Sequence, residues 1–428
     1  MTDPTSKAVA DAVSAERDFV SDLFDRLAAC SIAGPGITRD TYGEGEQRAH
    51  AVVRGIAADM ALEIKGDAAA NLYMTMPGRD RSAPGIVMGS HLDSVPNGGN
   101  FDGAAGVVAA LVAIRALRSL AITPAVDVTA MAIRAEESVW FEVSYVGSRS
   151  ALGQLPKGAL QAPRIDTGRP LADHITACGG SPAALDRGEA TLTRDNVKAF
   201  LEVHIEQAPQ LIEAGRPIAV VTAVPGNFRY PSARIIGAYD HVGLPRRFRH
   251  DAVTAAGTFA VGVDRIWREH EAAGRPMAMT IGRFHTNPAE AAMTKVAGEV
   301  TFSIDVRAYD EGHLLAIEAD LRKLIAAIEA EHRVRFDIGR RTSAEVAPAD
   351  PRLKAALTAS AKALGIPSLT LASPASHDAA AFCAAGIPMA MLLVRNANGS
   401  HNPAEAMEID DFMAAATVLA HWLAGAVG

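Results

Sequence analysis

Apolar positions follow two rhythms along the chain. Residues 86–88 form a short apolar run closed by Gly89, and residues 126–133, Val-Asp-Val-Thr-Ala-Met-Ala-Ile, have the pattern of a second buried strand. Between them, residues 104–120 carry Val107, Val108, Leu111, Ile114 and Leu117 at three-to-four spacing, which predicts a helix. Strand, helix, strand in this order calls for a crossover connection, and so predicts a largely parallel sheet. Ligands of such sheets gather beyond the carboxyl ends of the strands. His91, Asp93, Asp102, Glu136 and Glu137 all fall in segments that follow such ends.

The rhythm changes in the middle of the chain. Residues 228–237, 277–284 and 299–307 read as strands, and 251–270 as a helix. Residues 310–332 read as a strong helix, with Leu314, Ile317, Leu321, Leu324 and Ile328 on one side. Strand–helix–strand–strand–helix–strand is the order of a ferredoxin-like layer. The expected fold is therefore α/β: a catalytic domain over 1–222 and 341–428 on a mixed, largely parallel sheet, with an α+β domain over 223–340 inserted. The apolar stretch 412–427, interrupted by His421, reads as a packed amphipathic helix. No uncharged apolar run reaches the length that spans a bilayer.

Composition narrows the function classes. With 428 residues, 49% of them hydrophobic, the chain can bury a large core. Net charge is −8 without a Lys/Arg-rich run, so neither nucleic acid nor membrane is expected as a partner. Cys30, Cys178 and Cys383 are far apart and form no Cys-x-x-Cys. That points to a reducing, cytoplasmic setting and to cysteines that act as small buried hydrophobes. Residues 1–16 are polar and lack the apolar core of a signal peptide.

The candidate chemistry lies in five short stretches. In Gly-Ser-His-Leu-Asp, ending at Asp93, a carboxylate two residues from His91 can take the proton on one ring nitrogen and make the other a better ligand. Asp102 precedes a predicted helix, where it can serve as an N-cap, as a carboxylate bridging two cations, or as both. Glu136 and Glu137 follow a buried strand, where adjacent anions repel and resist desolvation. Cations would relieve both costs, one glutamate acting as ligand and the other moving protons. His204 and His401 would each pass for a structural histidine alone; together with the carboxylates they form a nitrogen–oxygen donor set. Such a set suits Zn2+, Mn2+, Co2+ or Ni2+, and the lack of cysteine ligands suits a catalytic site. No Gly-x-Ser-x-Gly occurs, and Ser376–His377 and Ser400–His401 are sequence neighbours only.

These stretches belong to longer motifs: GSHLDSVPNGGNFDGAAGV, RAEESVWFEVSYVGSR, EVHIEQAPQLIEAGRPIAVVT, GNFRY, MTKVAGEVTFSIDVR, SHDAAAF and NGSHNPAEAM. From about residue 40 to the end, the chain resembles the dinuclear amidohydrolases that include allantoate amidohydrolase, N-carbamoyl-L-amino-acid hydrolase and β-ureidopropionase, in the aminoacylase/carboxypeptidase superfamily. The resemblance implies two divalent metal ions per subunit. His91 and His204 would bind one ion, Glu137 and His401 the other, with Asp102 between them. Asp93 would orient His91, and Glu136 would be general base and then general acid. It further implies that the inserted domain is a lid that forms a homodimer and sends His241 into the partner's site to stabilise the oxyanion. Gln207 and Arg307 match substrate contacts, Arg307 gripping a carboxylate; as a plain strand-end surface charge, Arg307 would have no such role. His377 and Asp378 match a motif without a firm role.

The chain departs from that family in places. Many relatives read Glu-Glu-Gly-Ser-Arg-Phe where this chain has Glu136-Glu-Ser-Val-Trp-Phe141. The small-residue run after the lid histidine becomes His241-Val-Gly-Leu-Pro245. Thr294 stands where many relatives place an Asn, and a hydroxyl cannot reproduce an amide's donor and acceptor pair. The expected function is hydrolysis of an N-carbamoyl-amino acid or ureido acid by metal-activated water, the substrate being a small molecule bearing a carboxylate. An N-acyl-amino-acid amidase or peptidase-like hydrolase with the same site is the second reading. A metal-bearing binding or scaffold protein is the third.

Overall fold

The computed structural model describes residues 4–427. The chain packs as two compact units: one runs to Val224 and resumes at Pro348, and the other is Pro225–Ala347.

The first unit is built on an eight-stranded sheet. Its strands lie in the order Glu63–Gly66, Leu72–Met76, Val128–Ile133, Gly85–His91, Val197–Ile205, Met389–Val394, Ile218–Val221, Ser368–Leu371. The four central strands, Val128–Ile133 to Met389–Val394, are parallel neighbours, while antiparallel pairs flank them. Every residue of Gly85–His91, Val128–Ile133 and Met389–Val394 is buried. That is why these strands read as unbroken apolar runs and not as alternations.

Helix Ala104–Ser119 packs on the Gly85–His91 strand and on the C-terminal helix Ile409–Val427. The C-terminal helix is not amphipathic as expected. Phe412, Met413, Ala415, Ala416, Val418, Leu419, Trp422 and Leu423 are all buried, because helices Pro4–Ser14 and Pro351–Ala363 also pack against it. His421 is tolerated there because its two ring nitrogens lie 2.9 Å from Ser6 Oγ and 3.0 Å from Ser360 Oγ. None of the three cysteines forms a disulfide; Cys30 is buried, but Cys178 and Cys383 are only partly so. Among the described residues, no helix is long and apolar enough to cross a membrane.

The second unit has a sheet in the order Met277–Thr286, Glu299–Ala308, Gly226–Ile236, Arg335–Asp337, all pairs antiparallel. Thr342–Ala344 adds beside Gly226–Ile236. Helices Ala252–Ala272 and Glu311–His332 cover it, each started by an aspartate cap, Asp251 and Asp310. This is the ferredoxin-like arrangement. Strand Glu299–Ala308 alternates buried and half-buried positions, and Phe228, Phe259, Phe302, Ile317 and Leu321 form the core. The short strands Arg335–Asp337 and Thr342–Ala344 hold three residues each, too few for a period to show in the sequence.

Candidate metal centre

The first unit brings its charged motifs to one edge of the sheet. His91 ends strand Gly85–His91, and His204 is the last residue but one of Val197–Ile205. Glu136 and Glu137 follow Val128–Ile133, and His401 lies in the loop beyond Met389–Val394. These four strands are the parallel neighbours, so their carboxyl ends face the same way and deliver the side chains together.

The atoms fall into two groups that share Asp102. His91, Asp102 and His204 each offer a ligand atom within 4.8 Å of the others, and so do Asp102, Glu137 and His401. Asp102 Oδ1 lies 3.6 Å from His91 Nε2 and 3.1 Å from His204 Nε2. Asp102 Oδ2 lies 3.2 Å from His401 Nε2, which is 3.3 Å from Glu137 Oε1.

The donor chemistry fits cations. His91 Nδ1 lies 3.0 Å from the Asp93 carbonyl oxygen, and His204 Nδ1 lies 2.9 Å from that of Ile205. A carbonyl only accepts, so each Nδ1 carries the hydrogen and each neutral ring turns an Nε2 lone pair towards the Asp102 carboxylate. The Gly103 N–H meets the His204 Nε2 lone pair at 3.2 Å; the His91 lone pair and the carboxylate oxygens repel unless something positive stands among them. The same field acts on protons. Burial works against a charged His91 and His204, yet Asp102 and its neighbours hold both above the ordinary imidazole value. His401 is pushed up to about 11 by Asp102 and Glu137.

Asp93 does more than face a histidine. Its carboxylate is 3.3 Å from His91 Nδ1 and accepts hydrogen bonds from Thr41 Oγ1 at 2.6 Å and from the backbone N–H of Glu136 and Glu137 at 3.1 and 3.3 Å. One buried carboxylate thus ties the His91 strand end to the glutamate loop. Asp102 departs from its N-cap reading: Gly103, at φ +68°, begins the helix, and no side chain caps it. The Asp102 carboxylate is held instead by Gln207 Nε2 at 2.9 Å and Ser400 Oγ at 2.8 Å. A Cβ on Gly103 would stand 2.5 Å from the His91 ring, so the close passage of the two loops requires glycine.

Several supporting residues escaped the sequence reading. Glu46 is fully buried and pairs with Arg134 at 3.0 Å while accepting the N–H of Ala135 at 3.0 Å. Buried Arg39 donates to the Leu92 carbonyl at 2.7 Å and to Asn100 Oδ1 at 2.8 Å, joining the two loops that carry His91 and Asp102. Both look like surface charges in sequence. Glu405 accepts the backbone N–H of Phe101 at 2.9 Å; it sat unremarked inside the NGSHNPAEAM motif. His377 lies beside His204 with ring centroids 4.3 Å apart and the rings tilted by 55°, and its Nε2 lies 2.6 Å from Ser373 Oγ. Asp378 accepts from Ser148 Oγ at 2.5 Å, and burial with nearby Glu202 raises it to about 8.

Glu136 sits in this acidic surrounding. Burial raises its carboxyl well above the usual range, against the pull of His91 and with help from Glu137, Asp378 and Asp93. A carboxyl whose protonated form is favoured in this way has the character of a group that holds and passes on a proton. Ala135, Gln207, Asn398 and His401 hold φ between +56° and +65°, a left-handed conformation that costs non-glycine residues of order 1–3 kcal/mol each.

Three further candidates lie in the second unit. His241 and Thr294 share a two-stranded ribbon, with His241 opposite Lys295 and the Val242 N–H donating to the Thr294 carbonyl at 2.9 Å. Both side chains are exposed. The Gly243 N–H donates to His241 Nδ1 at 3.1 Å, so the hydrogen of the neutral ring sits on Nε2. Arg307 lies near the far end of the 10-residue strand that begins just after this ribbon. At ~3.3 Å per residue, that strand separates its ends by roughly 30 Å. Arg307 pairs with Asp305 at 3.2 Å, a carboxylate it shares with Arg229.

Fold and site together define a metal-dependent hydrolase. Residues 87–425 match peptidase family M20/M25/M40, and the chain belongs to that family. It is 31% identical over 399 residues to an N-carbamoyl-L-amino acid amidohydrolase of Geobacillus stearothermophilus, covering 90% of this chain and 92% of that one. It is 31% identical over 388 residues to an allantoate amidohydrolase of Escherichia coli, covering 90% and 92% of the two chains. A hydantoinase/carbamoylase family amidase from Burkholderia ambifaria superposes with a TM-score of 0.83 at 27% identity, over 96% of this chain and 98% of that one.

Proposed function

We propose that the protein is an amidohydrolase that cleaves a linear, non-peptide C–N bond in an N-carbamoyl-amino acid or ureido acid. The observation that carries this reading is the pair of ligand groups sharing Asp102, with Glu136 beside them. The names of the relatives support the substrate class. His91, His204 and Asp102 would hold one divalent ion, and Glu137, His401 and Asp102 the other, with zinc, manganese, cobalt and nickel all suited to the donors. Bound there, the ions would acidify water and neutralise charge that develops on the substrate oxygen.

The residues of the chain supply the rest. The Glu136 carboxylate takes a proton from the attacking water and returns it to the leaving nitrogen. Asp93 holds the Glu136 backbone in place for both transfers. His241 presents an Nε2 hydrogen able to stabilise the oxyanion. Arg307 grips the substrate carboxylate through paired hydrogen bonds, with Thr294 and Gln207 as further substrate contacts. Because the His241 ribbon lies before one end of strand Glu299–Ala308 and Arg307 near the other, the reading assigns them to different copies in a homodimer joined through the second unit. The lack of a disulfide among Cys30, Cys178 and Cys383 supports a cytoplasmic setting.

The test is a panel of carbamoyl, ureido and acyl amino acids offered to metal-reconstituted protein, with ammonia measured. Ammonia from the carbamoyl or ureido compounds is expected. Cleavage of acyl compounds alone would favour the acyl-amino-acid amidase. No hydrolysis by metal-loaded protein would leave a binding or scaffold role.

A further inference from the structure

We propose that Glu405 and Ser400 are a positioning pair that sets the orientation of Asp102 and thereby couples the filling of the two ion sites. This rests on the reading of the five ligand residues as a two-ion centre. A carboxylate common to two ions must show one oxygen to each. Asp102 already does so, with Oδ1 towards His91 and His204 and Oδ2 towards His401. Turning its carboxyl group would break that division.

Glu405 grips Asp102 at two points. Its Oε1 accepts the N–H of Phe101 at 2.9 Å and of Asp102 itself at 3.4 Å, which fixes the main chain. Its Oε2 lies 2.6 Å from Ser400 Oγ, and that hydroxyl lies 2.8 Å from Asp102 Oδ2. Gln207 Nε2 donates to the same oxygen at 2.9 Å, and Ser400 Oγ stands between the Asp102 and Glu405 carboxyl groups with one hydrogen to share. Glu405 is buried at 8% exposure, and water cannot readily stand in for it. The loop it enters is shaped to admit it: a Cβ on Gly99 would come within 2.0 Å of the Glu405 carboxyl carbon.

The pair also links the two ion sites. Ser400 precedes His401, and Glu405 closes the same loop. The loop that delivers a ligand to one ion therefore sets the shared ligand of both. Loosening it should weaken both ions together, where loss of His401 alone would weaken chiefly one.

The test is calorimetric titration of metal-free full-length protein with Zn2+ or Mn2+, together with the visible spectrum of the Co2+ form. Wild type, Glu405→Ala, Ser400→Ala, Glu405→Gln and Ser400→Thr are compared, with circular dichroism confirming the fold. Wild type is expected to bind two ions. Both alanine variants should lose about 10–100-fold in affinity at both sites, the usual cost of removing a residue that supports metal ligands, and should shift the Co2+ spectrum. Glu405→Gln keeps an oxygen for the two N–H groups and gains a donor for Ser400, whose hydrogen then goes to Asp102. It should return close to wild type, as should Ser400→Thr. Alanine variants with wild-type affinities and spectra would overturn the proposal, as would a Gln variant no better than Ala. Both results leave a two-ion wild type standing, whereas a wild type that binds no ions would overturn the reading beneath it. If Glu405→Ala does not fold, Ser400→Ala and Ser400→Thr decide alone.

Discussion

The strand-end cluster of the first unit and the His241–Thr294 ribbon of the second are built on opposite principles. In the cluster, the ligand side chains apart from half-exposed His401 are buried, and buried Asp93 alone engages a hydroxyl, a histidine and two backbone N–H groups. The ribbon has two residues per strand, its Asp240–His241 strand is exposed, and its histidine is fixed by one local hydrogen bond from Gly243. The cluster suits chemistry that must be held in one geometry before substrate arrives. The ribbon suits a part that meets a substrate, where sequence can change without dismantling the rest. The departures at Thr294 and at His241–Pro245 fall on or beside the ribbon; the one over Ser138–Trp140 follows Glu137 directly but leaves the metal-ligand candidates themselves unchanged.

Substitutions can break this contrast at different depths. The largest effect is expected from Glu136→Gln. Turnover should fall by roughly 10²–10⁴-fold, the range for a lost general acid–base, while metal content by elemental analysis stays unchanged. Normal turnover in a folded variant would remove Glu136 from its role. Next comes Glu46→Ala, which strands buried Arg134 and should cost about 3–5 kcal/mol in chemical denaturation. A loss below ~1 kcal/mol, the scale of a surface ion pair, would show that the acid does not anchor the glutamate loop. His241→Ala should lower turnover by about 10²–10³-fold, as for a missing oxyanion donor, with stability and metal content intact. Mixed with Glu136→Gln under subunit exchange, it should recover activity; no recovery after verified exchange would exclude a shared site. The smallest effect is expected from Thr294→Asn. It should shift the ranking of substrates by less than about tenfold, ~1.4 kcal/mol, without altering metal binding, and an unchanged ranking would exclude Thr294 from substrate contact.

The same contrast explains what the sequence disclosed. The parallel strands were legible because burial on both faces leaves them continuously apolar, and His91, Glu136 and Glu137 stood out because they follow those runs. His204 and His401 gained meaning only as members of the set. Glu46, Arg39 and Glu405 were invisible for one physical reason. Each looks like an ordinary surface charge, and burial comes from partners distant in the chain, 88 residues for Glu46–Arg134 and 303 for Glu405–Asp102. Asp102 misled in a smaller way. An aspartate before a helix favours capping, but Gly103 takes over the helix start and frees the carboxylate to face three imidazoles. The C-terminal helix misled because its apolar residues are contacted from several sides, which a one-dimensional pattern does not reveal.

Anomalous diffraction from crystals grown with Zn2+ or Mn2+ tests the shared carboxylate most directly. Two peaks are expected per chain, one against His91 and His204, the other against Glu137 and His401, each within coordination distance of a different Asp102 oxygen. A single peak, or peaks that leave Asp102 unligated, would contradict a two-ion centre organised around that side chain.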